Sequence, residues 1–173
     1  MSLLLKRLKN EEAELVKTKG EVFESEDFYQ GENGKKIKLL TISGEEEIEV
    51  VRKYRTRIYA SGYEKVDGEI KRREWHIVDI YILRHYPLPS PTKLGAPVRF
   101  QWVTPIFHPN ISNGIEAGGF GVVCWNILKE WIPNFTLLHI VEGLERLVES
   151  PNPDDALMYP ECKEAAVWFR RFK

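Results

Sequence analysis

The hydrophobic period changes several times along the chain, and each change predicts an element. From Ser2 to about Lys17, Leu5, Leu8 and Leu15 form a narrow apolar stripe, while Lys6, Lys9, Glu11 and Glu12 are expected to face water. That is the period of an amphipathic helix, and Ser2 has the hydroxyl to cap it. Glu21 to Gln30, then Gly31-Glu32-Asn33-Gly34, then Lys36 to Ser43 read as a hairpin. The period then falls to two. Ile48, Val50, Tyr54, Thr56, Ile58 and Ala60 share one parity, and Glu47, Glu49, Lys53, Arg55 and Arg57 share the other. Such alternation predicts an antiparallel strand with one wet face. After a turn at Gly62 to Gly68, Arg72 to Arg84 is apolar on both faces. Trp75, Ile77, Tyr81 and Leu83 alternate there with Val78, Ile80 and Ile82, which predicts a central strand. A proline-rich link from Pro87 to Pro97 precedes a fourth strand over Val98 to Val103.

From His108 to Pro133 regular periodicity is lost, and Gly114, Gly118, Gly119 and Gly121 interrupt the segment. A loop this long inside a compact domain is usually functional or mobile. Leu137, Ile140, Val141, Leu144, Leu147 and Val148 then recur at helical spacing, with Thr136 as cap and Pro151 as stop. A last helix is expected over about Glu161 to Phe172, with Ala165, Trp168, Phe169 and Phe172 on one side. The order is helix, meander of about four strands, long loop, two helices. Strands first and helices later predict an α+β fold, with helices on one side of an antiparallel sheet.

Composition adds bounds. The 173 residues fit a single domain over 1–173, and an apolar content of 43% is enough to fill its core. With 25 basic and 26 acidic residues the net charge is -1, which gives no global attraction to nucleic acid or acidic membranes. No apolar run approaches the roughly 18 residues of a membrane span. Leu3-Leu4-Leu5 stands before Lys6, Arg7 and Lys9, the wrong order for a signal peptide, so a cytoplasmic location is expected. Two cysteines, Cys124 and Cys162, are too few for a disulfide framework, and neither stands in a zinc-spaced cluster.

Five short motifs then follow one another. They are Tyr86-Pro87 with Ala96-Pro97-Val98-Arg99-Phe100; Ile106-Phe107-His108-Pro109-Asn110-Ile111; Gly121-Val122-Val123-Cys124-Trp125-Asn126-Ile127-Leu128; Trp131-Ile132-Pro133 with Thr136; and Pro151-Asn152-Pro153-Asp154-Asp155. In this order they resemble the catalytic part of the ubiquitin-conjugating enzyme family, specifically from about Tyr86 to Leu157. The order of elements over the rest of the chain resembles that family's layout. Some features depart from the family's pattern. His108 and Cys124 stand further apart, with a Gly-rich piece around Gly114 to Gly119. Trp125 and Asn126 replace the usual leucine and aspartate, and Ser90 to Gly95 looks inserted. The chain is therefore expected to be a divergent member.

The resemblance implies the ubiquitin-conjugating-enzyme-like fold and a chemistry. Cys124 would accept ubiquitin or a ubiquitin-like protein as a thioester from an activating enzyme and pass it to a substrate lysine. A thiol suits this work, because its thiolate is nucleophilic and its thioester stays reactive toward amines. Lys129 lies near Cys124 while Glu130 and Asp155 offset its field, so no strongly lowered thiol pKa is expected. Asn110 would donate to the developing oxyanion or hold the loop; an asparagine after proline is also a common turn former. His108 and Pro109 are read as structural, fixing that turn. Asp155 would orient the acceptor amine and take its proton, with Asp154 the lesser candidate. No metal or organic cofactor is implied, and ATP is spent by the activating enzyme. Lys6 and Arg7 match the surface where activating enzymes and ligases compete; Leu88, Pro133 and Asn134 match the loops that a RING-type ligase grips. A non-catalytic binding module of the same fold is the main alternative. A cysteine hydrolase would need a histidine base in a hydrolase motif, and none of His76, His85, His108 and His139 stands in one.

Overall fold

The computed structural model describes residues 2–29, 33–91 and 93–172. Ser2 accepts the N–H of Leu5 at 3.2 Å and starts α1 (Leu3–Lys19). Leu8 and Leu15 are buried as their spacing predicts, but Glu11 does not face water. It is 5% exposed. One of its oxygens accepts from the Tyr86 hydroxyl at 2.5 Å and the Leu137 N–H at 2.9 Å, the other from Arg7 Nε at 2.6 Å. Glu12 likewise accepts from Arg52 at 2.6 Å and Tyr54 at 2.7 Å. Buried carboxylates need such donors. Apart from Arg7, one turn away on the same helix, these come from distant segments, which local periodicity cannot register.

The sheet is antiparallel and holds β1 (Phe23–Asp27), β2 (Lys35–Thr41), β3 (Gly44–Val66), β4 (Glu69–Leu83) and β5 (Val98–Trp102). It is four strands wide in the order β1, β3, β4, β5, and β2 also pairs with β3. The hairpin expected between Glu21 and Ser43 is therefore not formed. β1 pairs with the middle of β3, from Phe23↔Thr56 to Asp27↔Arg52, and β2 with its beginning, from Lys35↔Val50 to Thr41↔Gly44. Gln30 at the end of the expected first strand and Gly31 and Glu32 of the expected turn lie outside the described residues. β4 is central, as its two apolar faces predict.

The single wet face expected for β3 is also corrected. Pairing passes from Val50↔Leu83 to Arg52↔Ile82, so Val51 is an extra residue. A bulge of one residue exchanges the two faces of a strand. Tyr54, Ile58 and Ala60 consequently join the inner core with Leu8, Leu15, Ile140 and Leu144. Ile48 and Val50 pack on the outer face with Leu39, Tyr81 and Leu83. The β3–β4 turn is tighter than the expected Gly62 to Gly68. It consists of Asp67 and Gly68, with φ of 50° and 81°, the positive pair that a two-residue hairpin turn favours.

The helices α2 (Leu137–Glu149) and α3 (Pro160–Phe172) follow the long loop. Thr136 caps α2 together with His139, and Glu11 satisfies a further orphan N–H at the same end. α2 packs on β3 and α1. α3 closes a smaller cluster of Phe107, Ala165 and Phe169, with Tyr63 and Trp168 against it. Among the described residues no helix is long and apolar enough to cross a membrane.

Candidate active site

The long loop is held by a few main-chain contacts. Isolated bridges pair His108 with Ile111 and Ile111 with Val123. The Cys124 N–H donates to the Asn110 carbonyl at 2.9 Å, which sets the cysteine beside the His-Pro-Asn turn. The Gly-rich extra residues do not displace it. They run along the free edge of β5, where Glu116 N–H donates to the Val103 carbonyl at 3.0 Å and Trp102 N–H to the Gly121 carbonyl at 2.8 Å. Gly121 has φ 64°, and a Cβ there would stand 2.4 Å from the Trp102 carbonyl oxygen, so the close return requires glycine.

His108 is buried, and its ring bridges two segments. Nδ1 accepts the Asn110 N–H at 3.0 Å, and Nε2 donates to the Leu147 carbonyl at 2.8 Å. Both ring nitrogens are thus engaged with main-chain groups. The Pro109 carbonyl accepts the Leu157 N–H at 2.9 Å and ties the same turn to the 152–158 segment. Asn110 does not fit the oxyanion-donor role in this arrangement. Its Nδ2 protons go to the carbonyls of Asn152 at 3.0 Å and Asp155 at 2.9 Å, while Oδ1 accepts the Asn152 N–H at 2.8 Å. With both protons committed, its geometry is that of a clamp on the short 3₁₀ turn Pro153–Asp155.

Cys124 is half-exposed in an open cleft of about 270 Å³, which Asp155, Lys129, Asn126 and Met158 also line. Partial burial and, next, the negative charge of Asp155 push its thiol above the ordinary value, and Lys129 pulls the other way. The thiolate is thus a minor species at neutral pH. Asp155 is exposed at the cleft, whereas the Asp154 carboxylate is paired with Arg170 at 3.1 Å. Trp125, one departure from the family's pattern, is a packing residue. Its ring lies 5.4 Å from that of Phe100, and a Cβ on Gly143 would fall 2.3 Å from it. The large residue at 125 and the absent side chain at 143 are complementary. Among the described residues no group of three or more His, Cys, Asp or Glu side chains could hold a metal ion.

The expected partner residues divide. Lys6 and Asn134 are exposed, and Leu88 is 60% exposed. Arg7 is not a free surface cation. Besides Glu11 it donates to the carbonyls of Pro133 at 2.5 Å and Phe135 at 3.0 Å, and it stands over the Tyr86 ring. Pro133 is half-buried beneath that contact, and the exposed apolar neighbour is Ile132, at 49%. Trp131 Nε1 donates to the Pro87 carbonyl at 2.8 Å and joins the two loops. Sequence reasoning also passed over Ile42, Ser43 and Lys93, which line the Cys124 cleft. All three come from outside the motifs, so no local signal marks them.

The model of the family described as "Ubiquitin-conjugating enzyme" matches residues 69–170. A protein named "Probable ubiquitin-conjugating enzyme E2 31" from Arabidopsis thaliana is 38% identical over 74 residues, 42% of this chain and 42% of that one. Ubiquitin-conjugating enzyme E2 T from Xenopus laevis is 30% identical over 105 residues, 56% of this chain and 48% of the relative. The matches span less than half the length of these curated relatives. Among solved structures, S. cerevisiae Ubc12 superposes with a TM-score of 0.58 at 21% identity, over 98% of this chain and 70% of that one. At that identity the likeness is one of fold.

Proposed function

The chain belongs to the ubiquitin-conjugating enzyme family, and on that premise we propose that Cys124 carries ubiquitin or a ubiquitin-like protein as a thioester and delivers it to a lysine. The observation that carries this reading is the half-buried Cys124, held beside Asn110 by its own main chain and sharing a cleft with Asp155. In the charging step the Cys124 thiolate attacks the cargo's C-terminal thioester on an activating enzyme. The carbonyl carbon gains a bond to Sγ, and the activating enzyme's sulfur leaves as thiolate. In the discharge step a neutral lysine amine attacks the same carbon. The C–S bond breaks, an amide forms, and Cys124 is released as thiolate.

The reading assigns a role to each side chain of the frame. A free lysine has a pKa of about 10.4 and is mostly protonated at neutral pH. Asp155 is available to orient the amine and take its proton. Asn110 and His108 act at one remove, by fixing the segments that carry Asp155 and Cys124. Lys6, Leu88, Ile132 and Asn134 form the surface offered to the activating enzyme and a RING-type ligase. An apolar pair with a polar rim suits a weak, exchangeable contact.

The test uses the protein with ATP, modifier and cognate activating enzyme, resolved on gels with and without reductant. The expected product is an adduct that reductant removes, that Cys124→Ala abolishes and that Cys162→Ala leaves intact. No adduct with a proven charged donor would instead favour a non-covalent binding module.

A further inference from the structure

The arm made by β2 and the start of β3 has no part in the mechanism above, and it lies outside the residues 69–170 that the family model matches. Its tip is the two-residue turn Ile42-Ser43 between the paired Thr41 and Gly44. The Thr41 hydroxyl closes the turn. It accepts the Ser43 N–H at 3.1 Å and donates to the Gly44 carbonyl at 3.1 Å.

Two contacts fix where this tip stands. Leu39, Ile48 and Val50 seat the arm on the outer face against Tyr81 and Leu83. Glu46 accepts from Arg99 Nε at 2.9 Å and Nη2 at 3.2 Å. The Arg99 side chain is 4% exposed, and its other N–H groups go to the carbonyls of Leu94, Ala96 and Val98. A bidentate pair so enclosed fixes geometry as well as charge. It locks the arm to the Ser90 to Gly95 insertion, which supplies Lys93 to the cleft. The arm and the Ser90 to Gly95 insertion are thereby joined to each other beside Cys124.

Ile42 and Ser43 line the same cleft as Cys124. Ile42 is half-buried, packs against the main core, and is the apolar residue that the arm contributes to the cleft, whose other apolar lining is Trp125, Ala156, Leu157 and Met158. We propose that Ile42 is a specificity wall of the acyl site, against which the C-terminal tail of the carried polypeptide lies. This rests on the thioester reading, since only a cargo joined to Sγ must thread its last residues through that cleft. The wall acts on binding and access, not on the thiol's ionisation.

Two measurements on the full chain test it. The first needs no cargo: Cys124 is alkylated in native Cys162→Ala protein by small iodoacetamide and by a bulky fluorescein maleimide. Ile42→Gly should raise the rate of the bulky reagent relative to the small one by about five-fold, and Ile42→Trp should lower it, with no change in the pH profile. In the second, Ile42→Gly should raise KM for the charged activating enzyme about ten-fold and leave kcat within about two-fold, and Ile42→Val should restore it. Glu46→Gln, which loosens the arm without touching its tip, should shift both readouts in the same direction as Ile42→Gly. An alkylation ratio unchanged by both Ile42→Gly and Ile42→Trp, in a chain that charges normally, overturns the wall. A wild-type chain that never charges overturns the thioester reading, and the tail's role with it.

Discussion

The carbonyls of Asn110 and Ile111 each hold a cysteine, but by different atoms. Asn110 accepts the main-chain N–H of Cys124, at 2.9 Å, where the residue lines a cleft. Ile111 accepts the thiol of Cys162 itself, at 3.5 Å, on the buried side of α3 where the residue is 0% exposed. Burial pushes the Cys162 thiol up to about 12. For Cys124 the push is in the same direction, and Lys129 opposes it. One bridge thus divides a wet side, where charge can change, from a dry side, where it is suppressed. His76 belongs to the dry side as well. It is 0% exposed, and burial lowers its pKa to about 4.

Alkylation would break or keep this contrast most directly. Native protein treated with iodoacetamide at pH 8 should lose Cys124 first. Cys162 should react on the order of 10³-fold more slowly, because it needs both an opening of the fold and a costly ionisation. The Cys124 rate should keep climbing between pH 7 and 8.5 without reaching a plateau, as a thiol above its ordinary pKa requires. Mass spectrometry of the labelled peptides measures both. Equal labelling would mean that α3 does not seal its cysteine.

The two sides were not equally legible in the sequence. The helices could be read, because Leu8 and Leu15, or Ile140 and Leu144, repeat at a period that burial alone imposes. The approach to Cys124 could be read from His108, Pro109 and Asn110 through their resemblance to a family motif, whereas their residue types alone mark only a turn. What escaped was set by contacts between distant segments. Glu11 looks like a solvent-facing residue until Tyr86 and Leu137 meet it. Ile48 and Val50 look continuous with Tyr54 until the extra Val51 reverses the face. Asn110 looks like a donor for the reaction until both its amide protons are found on the carbonyls of Asn152 and Asp155. Ile42 comes to the cleft of Cys124 because Leu39, Ile48 and Val50 seat its arm on the sheet and Arg99, far along the chain, captures Glu46.

The dry side can be probed next by pH. His76 has its folded pKa held at about 4, chiefly by burial, with Arg73 lowering it further and Glu64 and the Ala60 carbonyl opposing. The unfolded value is about 6.5. A histidine lowered on folding stabilises the fold above its unfolded pKa, and that contribution is lost as pH falls toward the folded one. Between pH 7 and pH 4 the loss should amount to about 3 kcal/mol. His76→Gln keeps a donor for the Ala60 carbonyl and removes the titration, so its urea midpoint should fall less than that of the wild type over this range. Parallel curves would place His76 in contact with water.

The smallest expected effect sharpens the wet side, because it moves two readouts in opposite directions. Asp155 raises the Cys124 pKa through its charge, yet its proposed work is on the acceptor lysine. In Asp155→Asn the charge is gone and the shape is kept. The thiol should ionise more readily, and iodoacetamide labelling at pH 7.5 should quicken by about two- to three-fold. A thiolate of lower pKa is also a better leaving group, which by itself would speed loss of the cargo. Discharge to free lysine should nevertheless slow about ten-fold, since the amine loses the carboxylate that orients it and takes its proton. Charging, which uses no amine, should stay close to wild type. Faster labelling with slower transfer separates the two roles of one carboxylate. If transfer quickens along with labelling, Asp155 acts on the sulfur alone, and the acceptor is oriented from elsewhere in the cleft.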